Sequence, residues 1–131
     1  MDANVKSIKK SFITFEQAKL LYNKGFRFAC KNEYYNSKGE PEYCRTYSNA
    51  WKTMYEGKNP DIPRSEQWEV VQWLLDTYDI DVYVRPVRAM DNTVGYIWVI
   101  FECEASDISK KFDTKEEAYS EAINYILKEL I

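Results

Sequence analysis

The sequence predicts an α+β fold, an antiparallel sheet of about four strands from two hairpins packed with three main helices. Three observations carry that reading. Apolar side chains recur at helical spacing over 13–24, 65–78 and 113–130. Residues 26–35 and 80–85 alternate at period two instead. Turn formers at 36–39 and 91–95 follow each alternating run, as a hairpin requires. The expected order is helix, two strands, short helix, helix, two strands, helix.

The 131 residues fit one domain, and 45% hydrophobic content with 30% charge gives enough apolar surface to offset chain entropy. Residues 1–11 read as a flexible basic arm bearing Lys6, Lys9 and Lys10, and 12–131 as a single α+β domain. The first helix opens with a capping box: Thr14 can accept from the backbone at Gln17 while the Gln17 side chain reaches back. Phe15, Ala18, Leu21 and Tyr22 follow, Ile13 staples onto Ala18, and Gly25 closes the helix near residue 24. Phe26 starts a strand, residues 36–39 turn it, and Glu42 to Tyr47 return it, with Pro41 where no ladder donor is needed. Ser48 or Asn49 caps a short helix bearing Trp51, Met54 and Tyr55. The stretch GKNPDIP at 57–63 is a linker.

Ser65 opens the next helix, with Trp68, Val71, Leu74, Leu75 and Tyr78 as one apolar stripe and Glu66, Glu69 and Asp76 on the wet side. Ile80, Val82 and Val84 form a half-buried strand in which Pro86 marks an edge or the strand's exit. An exposed edge over 82–86 is a place where two copies of the chain can pair. Tyr96 to Cys103 is apolar on both faces apart from Glu102 and belongs in the centre of a sheet, where helices cover one face and aromatics the other. The last helix begins with a capping box of Asp113 and Glu116 and carries Ala118, Tyr119, Ala122, Ile123, Ile126, Leu127 and Leu130 on its core face. Matching Gly25-Phe26 with Asp79-Ile80 suggests two helix-hairpin units about 54 residues apart.

Several chemistries are disfavoured. Histidine is absent, so triads and His-bearing metal sites are excluded. Each of the four glycines has a turn or cap duty, which leaves no phosphate loop. Glu102 and Glu104 share a strand face but read as a strand end entering solvent. Cys30, Cys44 and Cys103 lack a close CxxC spacing and read as reduced thiols, with no metal site and no cofactor implied. No apolar run approaches about 18 residues and the amino terminus lacks a secretion core, so the expected location is the cytoplasm. The expectation is a protein that is not an enzyme.

Charge divides the chain. Residues 1–58 hold eleven Lys and Arg against six acids, whereas residues 59–131 hold seven against fifteen. Rings interleave with the cations of the first part, and such a surface grips a partner because aromatics bury area at low rotamer cost. The predicted contact residues are Arg27, Tyr35, Tyr43, Arg45, Trp51 and Tyr55. The expected function is a non-enzymatic protein-binding module that docks this Tyr-rich hairpin on a partner and so inhibits or redirects it. The alternative is a single-stranded nucleic-acid binder that stacks bases on the same rings. The acidic second half can instead mimic nucleic acid toward a basic partner.

Pro63, Ser65, Gln72-Trp73-Leu74 and the segment Phe112-Asp113-Thr114-Lys115-Glu116-Glu117-Ala118 carry a resemblance. Together with the helix opening TFEQAKLL, they resemble small uncharacterised proteins encoded by bacteriophages and prophages of gut bacteria. The resemblance covers 14–24 and 63–131. It implies a mobile-element origin and no particular activity; given that origin, the expected partner is a host or viral protein and the expected location the host cytoplasm.

Overall fold

Local capping decides where the first helix starts. In the computed structural model, which describes residues 10–26, 33–43, 62–102 and 105–131, Thr14 Oγ1 accepts from the Gln17 amide at 3.2 Å. Gln17 Oε1 accepts from the Thr14 amide at 3.0 Å in return. Helix α1 (Phe15–Asn23) follows, and Lys24 caps it before Gly25 turns at φ 95°. Ile13 and Ala18 are both buried, as a hydrophobic staple requires. Phe26 leaves the turn inward and meets Trp73 edge-on at 5.1 Å.

Strands β1 (Glu33–Tyr35), β2 (Pro41–Tyr43) and β3 (Ile62–Pro63) form one antiparallel sheet with β1 in the centre. Asn36 shapes the turn between β1 and β2: its Oδ1 accepts from the amides of Lys38 and Glu40 at 2.9 and 3.0 Å. Gly39 takes φ 81°, and the Phe15 ring lies where its Cβ would be. The linker expected over 57–63 ends in β3, because β1 needs a partner on its second edge and pairs Tyr35 with Ile62. The continuation of β2 to Tyr47, the short helix around Trp51, the flexible arm before Lys10, and Cys30, Cys44 and Cys103 lie outside the described residues.

Helix α2 (Gln67–Tyr78) starts one residue later than expected, with Glu66 and not Ser65 as its cap. Ser65 is fully buried because it sits in a short pairing with the entry segment. The Ile13 amide donates to the Ser65 carbonyl at 3.0 Å, and the Gln67 amide to the Ser11 carbonyl at 2.8 Å. Glu69 is buried too, against the expectation of a wet side, because its carboxylate accepts from the Glu66 amide at 2.9 Å. Asp79 ends α2 at φ 59°, the same left-handed position that Gly25 holds after α1.

Strands β4 (Ile80–Arg88), β5 (Val94–Glu102) and β6 (Ala105–Ile108) make a second antiparallel sheet, with β5 central as its two-sided apolar pattern predicts. Each predicted hairpin is present and gains a third strand, so the α+β fold holds two three-stranded sheets. Asn92 turns the β4–β5 connection at φ 67°, while Gly95 lies inside β5 and not in the turn. The stem of Lys111 crosses Gly95 where a Cβ would stand, which explains a glycine inside a strand.

Pro86 occupies the edge strand β4 opposite Tyr96. Both backbone groups of Tyr96 pair with Phe112 at 2.7 Å, on the side away from β4. Pro86 therefore faces the free edge, where its missing N–H costs the sheet nothing.

Helix α3 (Lys115–Tyr125) is capped by Thr114, whose Oγ1 accepts from the Glu117 amide at 3.1 Å, and not by Asp113. It continues as a wider turn over Ile126–Leu130. Of the predicted face, Ala118, Ala122, Ile123, Ile126 and Leu127 are buried, while Tyr119 and Leu130 are half-buried. One core cluster joins α1, α2 and α3 to the inner faces of both sheets, through Leu21, Tyr35, Leu74, Val82, Ile100 and Ile123 among others.

Candidate functional site

The six predicted contact residues divide three ways. Tyr35 points inward: it is 7% exposed, its hydroxyl donates to the Ile13 carbonyl, and its ring lies 5.6 Å from Phe15. That is a correction, since β1 is the central strand of its sheet and the α1 side of it is covered. Tyr43 lies on edge strand β2 and is 64% exposed. Arg27, Arg45, Trp51 and Tyr55 lie outside the described residues.

Around Tyr43 the described surface carries a carboxylate. Glu42 Oε1 accepts from Asn36 Nδ2 at 2.7 Å, and its Oε2 accepts from the Tyr34 hydroxyl at 2.8 Å. The bond from Asn36, then that from Tyr34, hold the Glu42 carboxyl below its ordinary value of 4.5. Arg64, beside β3, lies over the Phe12 ring at 3.9 Å and the Tyr35 ring at 5.8 Å.

The second exposed aromatic was not anticipated. Trp68 is 64% exposed, although helical spacing placed it with Leu74 in one stripe. Six residues at about 100° each set those two side chains roughly 120° apart, so a single packing face cannot take both. Gln67, Val70 and Leu74 win the inward position, and Trp68, Leu75 and Tyr78 are left outward with Val71 half-buried between them. A cue was present in the sequence, since Val70 and Leu74 also pair at helical spacing with buried neighbours.

Trp68 and Val71 form one wall of an open groove of about 380 Å³, and Lys115, Glu116 and Tyr119 of α3 form the other. Ser11, Glu66 and Gln67 complete its lining. Gln67 Nε2 donates to the Glu116 carbonyl at 3.0 Å, so the helix ends are tied together beneath the groove. Gln17 holds the α3 wall from the other side, tying it to α1, its Nε2 donating to the Ser120 carbonyl at 2.8 Å and to Asn124 Oδ1 at 3.0 Å. The walls are thus preformed. Apolar surface at the centre and Glu66, Glu116 and Lys115 at the margin give the groove a dry middle with a polar rim.

Helix α2 contains no Lys or Arg, and Asp76 and Asp79 border its exposed stripe. Among the described residues no cluster of three His, Cys, Asp or Glu side chains is arranged to hold a metal ion. Nor, among them, is any helix long and apolar enough to cross a membrane. Compared with known protein families, with curated proteins and with solved structures, the chain matches none.

Proposed function

We propose that this chain is a non-enzymatic protein-binding module whose contact surface centres on Trp68 and the groove beside it. One observation carries the reading: a large aromatic side chain stands 64% exposed at the mouth of a groove whose two walls are tied by Gln67. Trp and Tyr dominate interface energetics because they bury much area with few rotors to freeze. A pre-tied groove accepts a partner side chain without the ordering cost that a soft surface incurs. By the resemblance to phage-encoded proteins, the partner belongs to a host or a virus and is met in the host cytoplasm. Occupation of its surface is then the mode of action.

Purified chain carrying Trp68→Ala or Tyr43→Ala, each verified as folded, tests the assignment against the partner of the unaltered protein. Removal of Trp68 should weaken binding at least about tenfold, the scale of an interface hot spot, and removal of Tyr43 should leave it within about threefold. Equal binding by the Trp68 variant contradicts the groove. Loss on removing Tyr43 alone returns the contact to the hairpin.

A further inference from the structure

The two faces of the second sheet are not equivalent. Ile80, Val82, Trp98 and Ile100 face the helices and belong to the core cluster. On the opposite face Ile97 and Val99 are also buried, yet neither belongs to that cluster. Among the described residues, their strand neighbours on this face are open to solvent: Tyr83 is 45%, Phe101 46% and Ile108 61% exposed. An apolar sheet face of this kind calls for a cover.

The register states what cover fits. Tyr83, Val99 and Ile108 lie in one row across the three strands. Two residues to one side of that row come Asp81 and Phe101, and two to the other come Arg85 and Ile97. Rotation by half a turn about the row maps the row onto itself and exchanges the two sides. A second copy placed face to face therefore sets Asp81 against Arg85 of the second copy, and Phe101 against Ile97 of the second copy. Asp81 and Arg85 stand about 13 Å apart along β4 at the usual strand rise, and sheets stack about 10 Å apart, within reach of these side chains. Neither forms an ion pair among the described residues.

We propose that this face is the interface of a homodimer, two copies packed about a two-fold axis along the row Tyr83, Val99 and Ile108. The charge pattern is self-complementary in this arrangement, whereas a two-fold axis along β4 sets Asp81 against its own copy and one along β5 sets it against Ser106. Pairing of β4 edges is the weaker alternative, since Pro86 offers no N–H on the free edge and interrupts a shared ladder. The face lies across the sheet from the helices, so the dimer leaves the Trp68 groove open and stands independently of the binding role.

Sedimentation equilibrium on the whole chain, with Asp81→Arg, Arg85→Asp and the double exchange, tests the arrangement. The expected result is a dimer of 15.6 kDa chains whose dissociation constant rises at least about tenfold in each single variant and returns to within about threefold in the double exchange. Thermal melts by circular dichroism confirm that the variants fold. A monomer at all concentrations to about 100 µM overturns the proposal. So does a dimer indifferent to the single exchanges, a double exchange that fails to restore it, or a dimer that Trp68→Ala dissociates.

Discussion

Ser65 illustrates how a residue type can mislead about its own role. A serine ahead of an apolar run reads as a helix cap, yet here its hydroxyl is buried without a hydrogen-bond partner, and Glu66 holds the cap position. Ser65→Ala should therefore raise stability, by about 0.5 to 1 kcal/mol, because it removes a desolvated and unsatisfied hydroxyl. Urea unfolding decides the matter, since a true cap would lose about 1 kcal/mol on the same change. Tyr35 and Tyr43 make the same point about rings. Both lie on one face of their hairpin, at opposite ends, and only the packing of α1 over Tyr35 separates an interior ring from an exposed one. Composition records that tyrosines are present and says nothing of which are covered.

Among the elements, α1 was legible because its signals are local: the Thr14–Gln17 capping box and the Gly25 turn lie within twelve residues of one another. The cap of α3 slipped by one position because Asp113 and Thr114 are both competent caps, and backbone geometry chose between them. Strands β3 and β6, of two and four residues, exist through partners distant in sequence and carry no periodicity of their own. Gln17 joins elements that sequence reasoning treated separately, capping α1 with its oxygen and holding α3 with its nitrogen. Gln17→Ala should cost about 2 to 4 kcal/mol, more than a cap alone, because it breaks both sets of bonds. A loss no larger than about 1 kcal/mol in urea would mean that the tie to α3 contributes nothing.

The hairpin of β1 and β2 makes a prediction in pH. Glu42 is held below its ordinary value of 4.5 by bonds that favour the carboxylate, so its contribution to stability is present above about pH 4.5. That contribution is lost as pH falls through the lowered folded value. Glu42→Gln should therefore destabilise the protein at pH 7, and the gap to the unaltered chain should close as pH falls below the ordinary carboxylate range through the lowered folded value. A gap that stays constant across that range removes the assignment. Tyr125 behaves in the opposite sense. Asp107 beside its hydroxyl raises it above the ordinary 10.0, and the benefit persists until alkali deprotonates the folded form.

For the whole molecule, the division of charge directed attention to the basic first part of the chain, while among the described residues the open aromatics are Tyr43 in that part and Trp68, Tyr78, Tyr83 and Phe101 in the acidic second part. Trp68, Leu75 and Tyr78 belong to a helix without a single Lys or Arg, beside Asp76 and Asp79. The orientation of α2 about its axis decides this, and it is settled by the competition of Val70 and Leu74 for the core, a global outcome that no short window contains. The outer face of the second sheet escaped for the same reason: a central strand rich in apolar residues was read as covered on both sides, and its cover lies outside the single chain in the arrangement proposed above.

Site-directed photo-crosslinking tests the docking surface most directly. A benzophenone side chain at Gln72, which neighbours the Trp68 stripe, should crosslink the partner in an extract of the native host, and adding Trp68→Ala should abolish that product. Crosslinking from Ser37 in the hairpin turn, with none from Gln72 or with a Gln72 product untouched by Trp68→Ala, would contradict the assignment of the contact surface to α2.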